Sequence, residues 1–195
     1  MNSVNDLGDQ FRRNDLDSLL GDGHELASHT FGHISCRSVS CSKFREEVEK
    51  GRRAIEDLTG LVDFGNFAFP FGAVTLAAKR MLGHEVASSR SIWSGVNGPE
   101  VDLNLLRANS LYGDIEKCAE VRELILENER RKTWLIFYSH DVSATPSQFG
   151  CTPELFEFAV SFASQRCTRI LTVAEVVSEL AARRRPRIRE SDASR

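Results

Sequence analysis

The chain has 195 residues, which is enough for one domain with a substantial core and short for two. Hydrophobic residues make up 41% of it and charged residues 27%, as in an ordinary globular protein, and the formal net charge is −3. These values argue against a disordered chain and disfavour a general nucleic-acid binder, and no apolar run approaches the roughly 20 residues that span a bilayer.

Helical and extended patterns alternate along the chain. A short helix is predicted from Asp15 to Gly21 or Gly23, and an amphipathic helix over 42–60 has Ser42 as its N-cap and Gly60 as its stop. The other predicted helices are 73–83, 114–132, 152–167 and 173–185. Strand-like runs fall at 24–28, 63–72, 85–89, within 104–113, at 133–141 and at 169–173. This alternation predicts an α/β layer or barrel built on a parallel sheet.

The two ends and the cysteines give weaker signals. We expect one domain over 1–182 and a disordered basic and polar tail over 183–195, with RRRPRIR as a solvated stretch rather than a nucleic-acid patch. The polar start carries no secretory signal, so the chain as written is expected in the cytoplasm. The five cysteines are scattered without a CxxC pair, which favours reduced packing residues over a disulfide framework or a zinc knuckle.

Two histidines in GHELASHTFGH, residues 23–33, follow a strand-like run. His29 and His33 are four positions apart, so both imidazoles can face one side of a helical turn and offer nitrogens to a zinc-like ion. The zincin motif HExxH has the same spacing, but Thr30 stands where its general base would be. The alternative is two polar residues that reach water or backbone. His24 and His84 are interpreted as turn residues.

Three more segments end strands with candidate site residues. His140 closes the apolar strand TWLIFYSHD, where α/β folds gather catalytic groups, and a histidine pKa of about 6.5 suits it to acid or base chemistry. Its alternative is a histidine that caps the strand. Phe71, after Pro70 in FAFPFG, could pack on a sugar face or belong to the core, and Trp93 in RSIWSG could line a cleft or simply pack.

In this order, the segments GHELASHTFGH, FAFPFG, RSIWSG and FYSHD resemble the motifs of the polysaccharide deacetylases, the carbohydrate esterases with the NodB homology domain. The resemblance runs from about residue 11 to residue 180. It implies a distorted, incomplete (β/α) barrel that uses a divalent metal, usually zinc, to remove acetyl groups from N-acetylated sugars such as chitin oligomers or peptidoglycan.

The resemblance also implies roles for individual residues. His29 and His33 would be two of three protein ligands of an ion that polarises the acetyl carbonyl and activates water, and His140 would protonate the leaving amine. Tyr138 and Phe71 would wall the pocket for the acetyl methyl, with Pro70 and Trp93 also at the substrate site. Asp102 is a candidate for the acid that orients the late histidine.

Two departures from the family pattern stand out. The Asp-Asp motif that supplies the third metal ligand and the catalytic base should precede His24, and no such pair is there, so the first strand is expected to be missing by gene truncation or a late start codon. Ala68 stands at about the place where many members carry an arginine. The alternative function is therefore an inactive remnant or a glycan-binding pseudoenzyme.

An absent first strand has further consequences. It would leave a sheet edge that residues 1–20 or a dimer must cover, so poor solubility is expected of the isolated chain. The expected partner is an N-acetylated sugar or oligosaccharide, with no nucleic acid and no membrane. Any export signal would lie in the missing part.

Overall fold

The computed structural model describes residues 12–61 and 65–184. It contains the helices α1 (Arg13–Gly21), α2 (Cys41–Thr59), α3 (Leu76–Leu82), α4 (Cys118–Arg131), α5 (Pro153–Ser164) and α6 (Val173–Arg184). Its strands are β1 (Asn66–Ala68), β2 (Ser88–Arg90), β3 (Asn109–Ser110) and β4 (Phe137–Tyr138). Short 3-10 turns lie at Pro70–Gly72, Leu103–Leu105 and Ile115–Lys117. Among the described helices, none is long and apolar enough to cross a membrane.

The strands follow one another side by side and in parallel. Ser28 pairs with β1, β1 with β2, Arg90 of β2 with Leu106, and β3 with β4. The chain therefore lays down neighbouring parallel segments in sequence order, with a helix between most of them. The α/β class is confirmed. The described residues form two separate two-stranded sheets and several isolated bridges, with no closed sheet among them, so the predicted barrel is not confirmed.

Apolar side chains of the helices pack against the strands in both the N-terminal and the C-terminal half of the chain. Phe44 and Val48 of α2 are fully buried against Phe67 and Phe69, together with Leu82 of α3. A second cluster joins α4 to α5 and the segments beside them, through Leu111, Val121, Ile125, Cys151, Leu155 and Ala159. Burial of these faces, at about 25 cal/mol per Å² of apolar surface, is the main force that holds the helices to the short strands.

The ends of the helices agree closely with the sequence. Gly60 ends α2 in the left-handed conformation at φ 75°, and Thr152 caps α5 by accepting a bond from the Leu155 N–H. The cap of α2 is Ser40 rather than Ser42, so that prediction was wrong by two residues. The Ser40 hydroxyl accepts from the Lys43 N–H, a role that only the residue before the first turn can take.

Three predicted strands are absent or much shorter in the structure. The run 24–28 forms only an isolated bridge at Ser28, the apolar run 133–141 forms only the two-residue strand β4, and 169–173 forms no strand. Instead, Arg169 pairs with Glu179, and Thr172 bonds to Glu175 at the start of α6. Helix α6 reaches Arg184, past the predicted domain boundary at 182, and the predicted tail from 185 onward lies outside the described residues. Residues 1–11, expected to help cover the sheet edge, also lie outside them.

Candidate active site

The candidate site lies where the parallel segments end. His29 follows the bridge residue Ser28, Arg90 is the last residue of β2, Tyr112 comes two residues after β3, and His140 comes two residues after β4. Because the carboxyl ends of parallel strands share one edge, the topology brings these side chains together. The chain therefore places the predicted histidines at this edge of the sheet, which we call the mouth.

His29 is held in one tautomer. Its Nδ1 lies 2.6 Å from the Ala68 carbonyl oxygen of β1. A carbonyl oxygen only accepts hydrogen bonds, so Nδ1 carries the proton and donates it, and Nε2 keeps a free lone pair. Burial lowers the pKa of His29 below its usual value, and the charges of His33 and His140 lower it further. His29 is thus a neutral ligand or base near neutral pH.

His33 lies against His29 and is more exposed. The two ring centroids are 4.8 Å apart, and the Phe71 ring lies 4.5 Å from that of His33 on another side. Burial lowers the pKa of His33, and the charge of His140 adds to the shift.

The turn that carries His33 is held by α2. The Glu47 carboxylate accepts from the Gly32 N–H at 3.0 Å, and the Glu47 carbonyl accepts from the Phe31 N–H at 3.0 Å. A Cβ on Gly51, one turn later in α2, would meet the Thr30 carbonyl carbon at 3.0 Å. Glycine at 51 therefore lets the helix backbone approach the turn that carries His33 closely.

Backbone strain is concentrated in the same segments. Among the described residues other than glycine, positive φ angles occur at Thr30 (65°), His33 (50°), Phe71 (58°) and Lys132 (52°). Lys132 ends α4, where this conformation is common, but Thr30 is β-branched and Phe71 is bulky. Such residues cost of order 1–3 kcal/mol each and persist where the surroundings hold them, as they do at functional sites.

His140 is oriented by its own loop. Both its backbone N–H, at 3.0 Å, and its Nδ1, at 3.3 Å, face the Phe149 carbonyl oxygen, and the Tyr112 hydroxyl is also 3.3 Å from Nδ1. The carbonyl again identifies Nδ1 as the protonated nitrogen, which leaves Nε2 free for proton transfer. Burial, with Tyr138 close by, raises the pKa of Tyr112, so its hydroxyl stays neutral.

The acids near His140 in sequence have other partners. Asp141 accepts from the Ser147 hydroxyl at 2.6 Å and from the Ser147 N–H at 3.0 Å, and these bonds lower the pKa of Asp141. Asp102 caps the turn Leu103–Leu105 and pairs with Lys79. The bonds that orient His140 come from Tyr112 and Phe149, and neither acid is among them in the described structure.

The remaining predicted site residues differ in exposure and in their contacts. Pro70 is buried and begins the turn that presents Phe71, whose side chain is 62% exposed. Tyr138 packs edge-on against Tyr112 with ring centroids 5.6 Å apart. Trp93 is half-exposed, and its ring has no aromatic neighbour among the described residues. The contact between Trp93 and a substrate therefore stays a prediction.

Sequence reasoning missed three residues of this mouth. Tyr112 and Phe149 contact His140, and Arg90 lies over the Tyr138 ring with its guanidinium carbon 5.2 Å from the ring centroid. Arg90 stands in the RSIWSG motif itself, and its position at a strand end was a usable signal.

The described residues would supply only part of a metal site. His29 and His33 are suitable nitrogen donors, and the His29 bond to a backbone carbonyl is the second contact that metal-binding histidines usually make. No group of three or more metal-ligating side chains exists within 12–61 and 65–184. The donor chemistry fits two ligands of a zinc-like ion and leaves the third unassigned.

Comparisons with known proteins agree with the motifs. Residues 7–86 match the family model described as polysaccharide deacetylase. A structure described as a polysaccharide deacetylase from Mycobacterium smegmatis shares 14% identity over 88% of this chain and 68% of its own, with a TM-score of 0.60. The Xyl-CE4 domain of a multidomain xylanase from the hindgut metagenome of Trinervitermes trinervoides shares 18% identity over 87% and 71%, with a TM-score of 0.55.

These likenesses have clear limits. At such identities the solved structures show a common fold and nothing finer. The chain spans less than two thirds of the length of several compared proteins, and 33% in one case. A search of curated protein sequences gave no match.

Proposed function

We propose, from the premise that this chain is related to the polysaccharide deacetylases, that it is a hydrolase that cleaves the C–N bond of N-acetyl groups on amino sugars. In this proposal, a divalent metal, with zinc as the first choice, is held at His29 and His33. The substrate class is an N-acetylated oligosaccharide or polysaccharide.

The fixed tautomer of His29 is the observation that carries the proposal. The Nδ1–H of His29 donates to the Ala68 carbonyl at 2.6 Å, so Nε2 keeps a lone pair that can take a proton or bind a metal. Burial lowers the pKa of His29, which disfavours the proton and supports a metal ligand. A second imidazole with a lowered pKa, His33, stands 4.8 Å away.

A divalent ion in such a site supplies Lewis acidity, which polarises a carbonyl and makes water a better nucleophile. The two imidazoles of this chain contribute nitrogen ligands to it, and the Glu47 bonds hold His33 at the required place. The third protein ligand is not among the residues described.

His140 is the proposed general acid. Its Nδ1–H is turned to the Phe149 carbonyl and the Tyr112 hydroxyl, so Nε2 is the nitrogen that takes up and delivers a proton. A proton from Nε2 to the departing amine nitrogen avoids expulsion of an amide anion, and general acid catalysis of this kind contributes typically about 10²–10⁴-fold. The neutral Tyr112 hydroxyl keeps the ring in place without a charge.

Exposed aromatic side chains favour a sugar substrate. Phe71 is 62% exposed and Phe149 is 45% exposed, and they flank His33 and His140 respectively. Aromatic rings exposed at a binding site can pack against the apolar face of a pyranose ring, which matches them in size.

The test is an acetate-release assay on N-acetylglucosamine oligomers with the purified 195-residue chain, with and without added zinc. We expect zinc-dependent release that a chelator abolishes. His140→Ala should lower the rate by about 10²-fold or more. The double variant His29→Ala/His33→Ala should lose both acetate release and zinc binding measured by calorimetry.

The matched control is His84→Ala, because His84 is an exposed histidine outside the mouth. It should behave as wild type in both measurements. Tight zinc binding that survives in the double variant, or acetate release that survives chelator, would overturn the proposal. Glycan binding that survives chelator, with no acetate release, would identify a binding protein in its place.

A further inference from the structure

Arg90 is a cation at the mouth with no function assigned so far. It is the last residue of β2 and stands directly opposite Ala68 in the parallel pair of β1 and β2. Its half-buried guanidinium lies over the Tyr138 ring, with the guanidinium carbon 5.2 Å from the ring centroid. Ala68 accepts the bond from His29, and the Tyr138 ring lies 6.5 Å from that of His140, so Arg90 stands between the two histidine segments.

Nearby acids do not neutralise this cation in the described part of the chain. None of the ion pairs formed by the described residues includes Arg90. The Asp141 carboxylate is occupied by Ser147, and Asp102 is paired with Lys79. Burial lowers the pKa of Arg90, yet a guanidinium remains charged in any protein. A half-buried cation without a counter-charge is costly, so an anion that enters the mouth is favoured.

We propose that Arg90 is the receptor for a carboxylate group of the ligand, which its guanidinium binds through two parallel N–H···O bonds. The planar fork of donors matches a carboxylate in geometry, and partial burial strengthens the pair. The Tyr138 ring lies against the guanidinium, with the guanidinium carbon 5.2 Å from the ring centroid. Stacking of this kind uses the face of the guanidinium, and its N–H donors lie along the edge.

Two carboxylates have the required chemistry. One is acetate, the product of the reaction proposed above, and the other is a carboxylate carried by the sugar itself, as in a uronic acid. The inference concerns binding alone, so it stands or falls independently of hydrolysis.

The experiment titrates the full chain, dialysed against chelator, with sodium acetate at constant ionic strength kept by sodium chloride. Binding is followed by the NMR shift of the arginine side-chain N–H signals. Without metal, no ion at His29 and His33 can account for carboxylate binding. We expect a saturable shift of one arginine signal, at least about tenfold weaker binding in Arg90→Met, and an intermediate loss in Arg90→Lys.

The control is Arg80→Met, which removes an exposed arginine on α3 and should bind acetate as wild type does. Circular dichroism and a thermal melt of each variant establish that it is folded. Equal acetate affinity in wild type and Arg90→Met, or no saturable shift in wild type, would overturn the proposal. A failed deacetylase assay with intact acetate binding would remove only the proposed reaction.

A parallel titration with glucuronate identifies the source of the carboxylate. Glucuronate that binds more tightly than acetate, with the difference lost in Arg90→Met, assigns Arg90 to the substrate. Acetate that binds as tightly as glucuronate or more tightly assigns it to the product.

Discussion

Glu47→Ala tests how the site turn is built. Glu47 is 9% exposed, and its carboxylate accepts the Gly32 N–H at 3.0 Å in the turn that carries His33. The Glu47 backbone bond to Phe31 survives the substitution, so the losses are the side-chain bond to Gly32 and a long ion pair with Lys43 at 3.8 Å. Surface ion pairs contribute little, so the bond to Gly32 is the main link that the variant removes.

The expected loss follows from the kind of bond. A hydrogen bond to a charged group contributes about 1.5–3 kcal/mol, and alanine's better helix propensity recovers only a small part of it. In a chain of this length, 1 kcal/mol moves the melting temperature by roughly 2–4 °C. We expect Glu47→Ala to lower the free energy of unfolding by about 1.5–3 kcal/mol and the melting temperature by about 3–12 °C.

The assay is urea unfolding followed by circular dichroism, with Glu46→Ala as the control. Glu46 is the preceding residue, its side chain is 66% exposed, and its pair with Lys43 lies at the surface. That control should stay within about 0.5 kcal/mol of wild type. If both variants unfold at the same urea concentration, α2 does not hold the turn through Glu47, and the account of how His33 is positioned is wrong.

Three further outcomes are expected. A Cβ on Gly150 would lie 2.2–2.6 Å from the Asp141 carboxylate atoms, so Gly150→Ala should destabilise by about 1–3 kcal/mol in urea unfolding. Thr152→Ala removes the cap of α5 and should lower the melting temperature by about 2–4 °C. Because the pKa values of His29 and His33 are lowered in the fold, the unfolded chain binds more protons, and the unfolding free energy of the metal-free protein should fall as pH drops below about 6.5. Unfolding curves that are equal at pH 7.5 and pH 5.5 would contradict the burial of His29.

The helices could be predicted because their signals are local. Stops and a 3.6-residue apolar period identified the helices near their observed bounds, as Gly60 shows at the end of α2. The strands are different, since a strand exists only where a neighbour completes its hydrogen bonds. The apolar run 133–141 has strand composition throughout, yet only Phe137 and Tyr138 pair as a strand, with β3. Its partner is short, and composition does not report the length of a partner.

The site could be predicted only where motif and strand end coincide. His29, His33 and Phe71 lie as near neighbours, as their motifs suggested. Tyr112 has no motif around it, and it enters the site because β3 lies beside β4. The Phe149 contribution is a backbone carbonyl, which any residue type could supply, so no sequence pattern indicates it.

The acid that follows His140 in the sequence forms its bonds within the loop. Asp141 does not contact the imidazole in the described structure, and instead binds the N–H and hydroxyl of Ser147. The Ser147 hydroxyl in turn accepts from the Phe149 N–H, and the Phe149 carbonyl accepts from both the backbone and the ring of His140. The carboxylate thus helps to hold the Phe149 carbonyl, and that carbonyl fixes the tautomer of His140. The orientation of His140 therefore depends on a chain of loop bonds rather than on a direct bond to an acid.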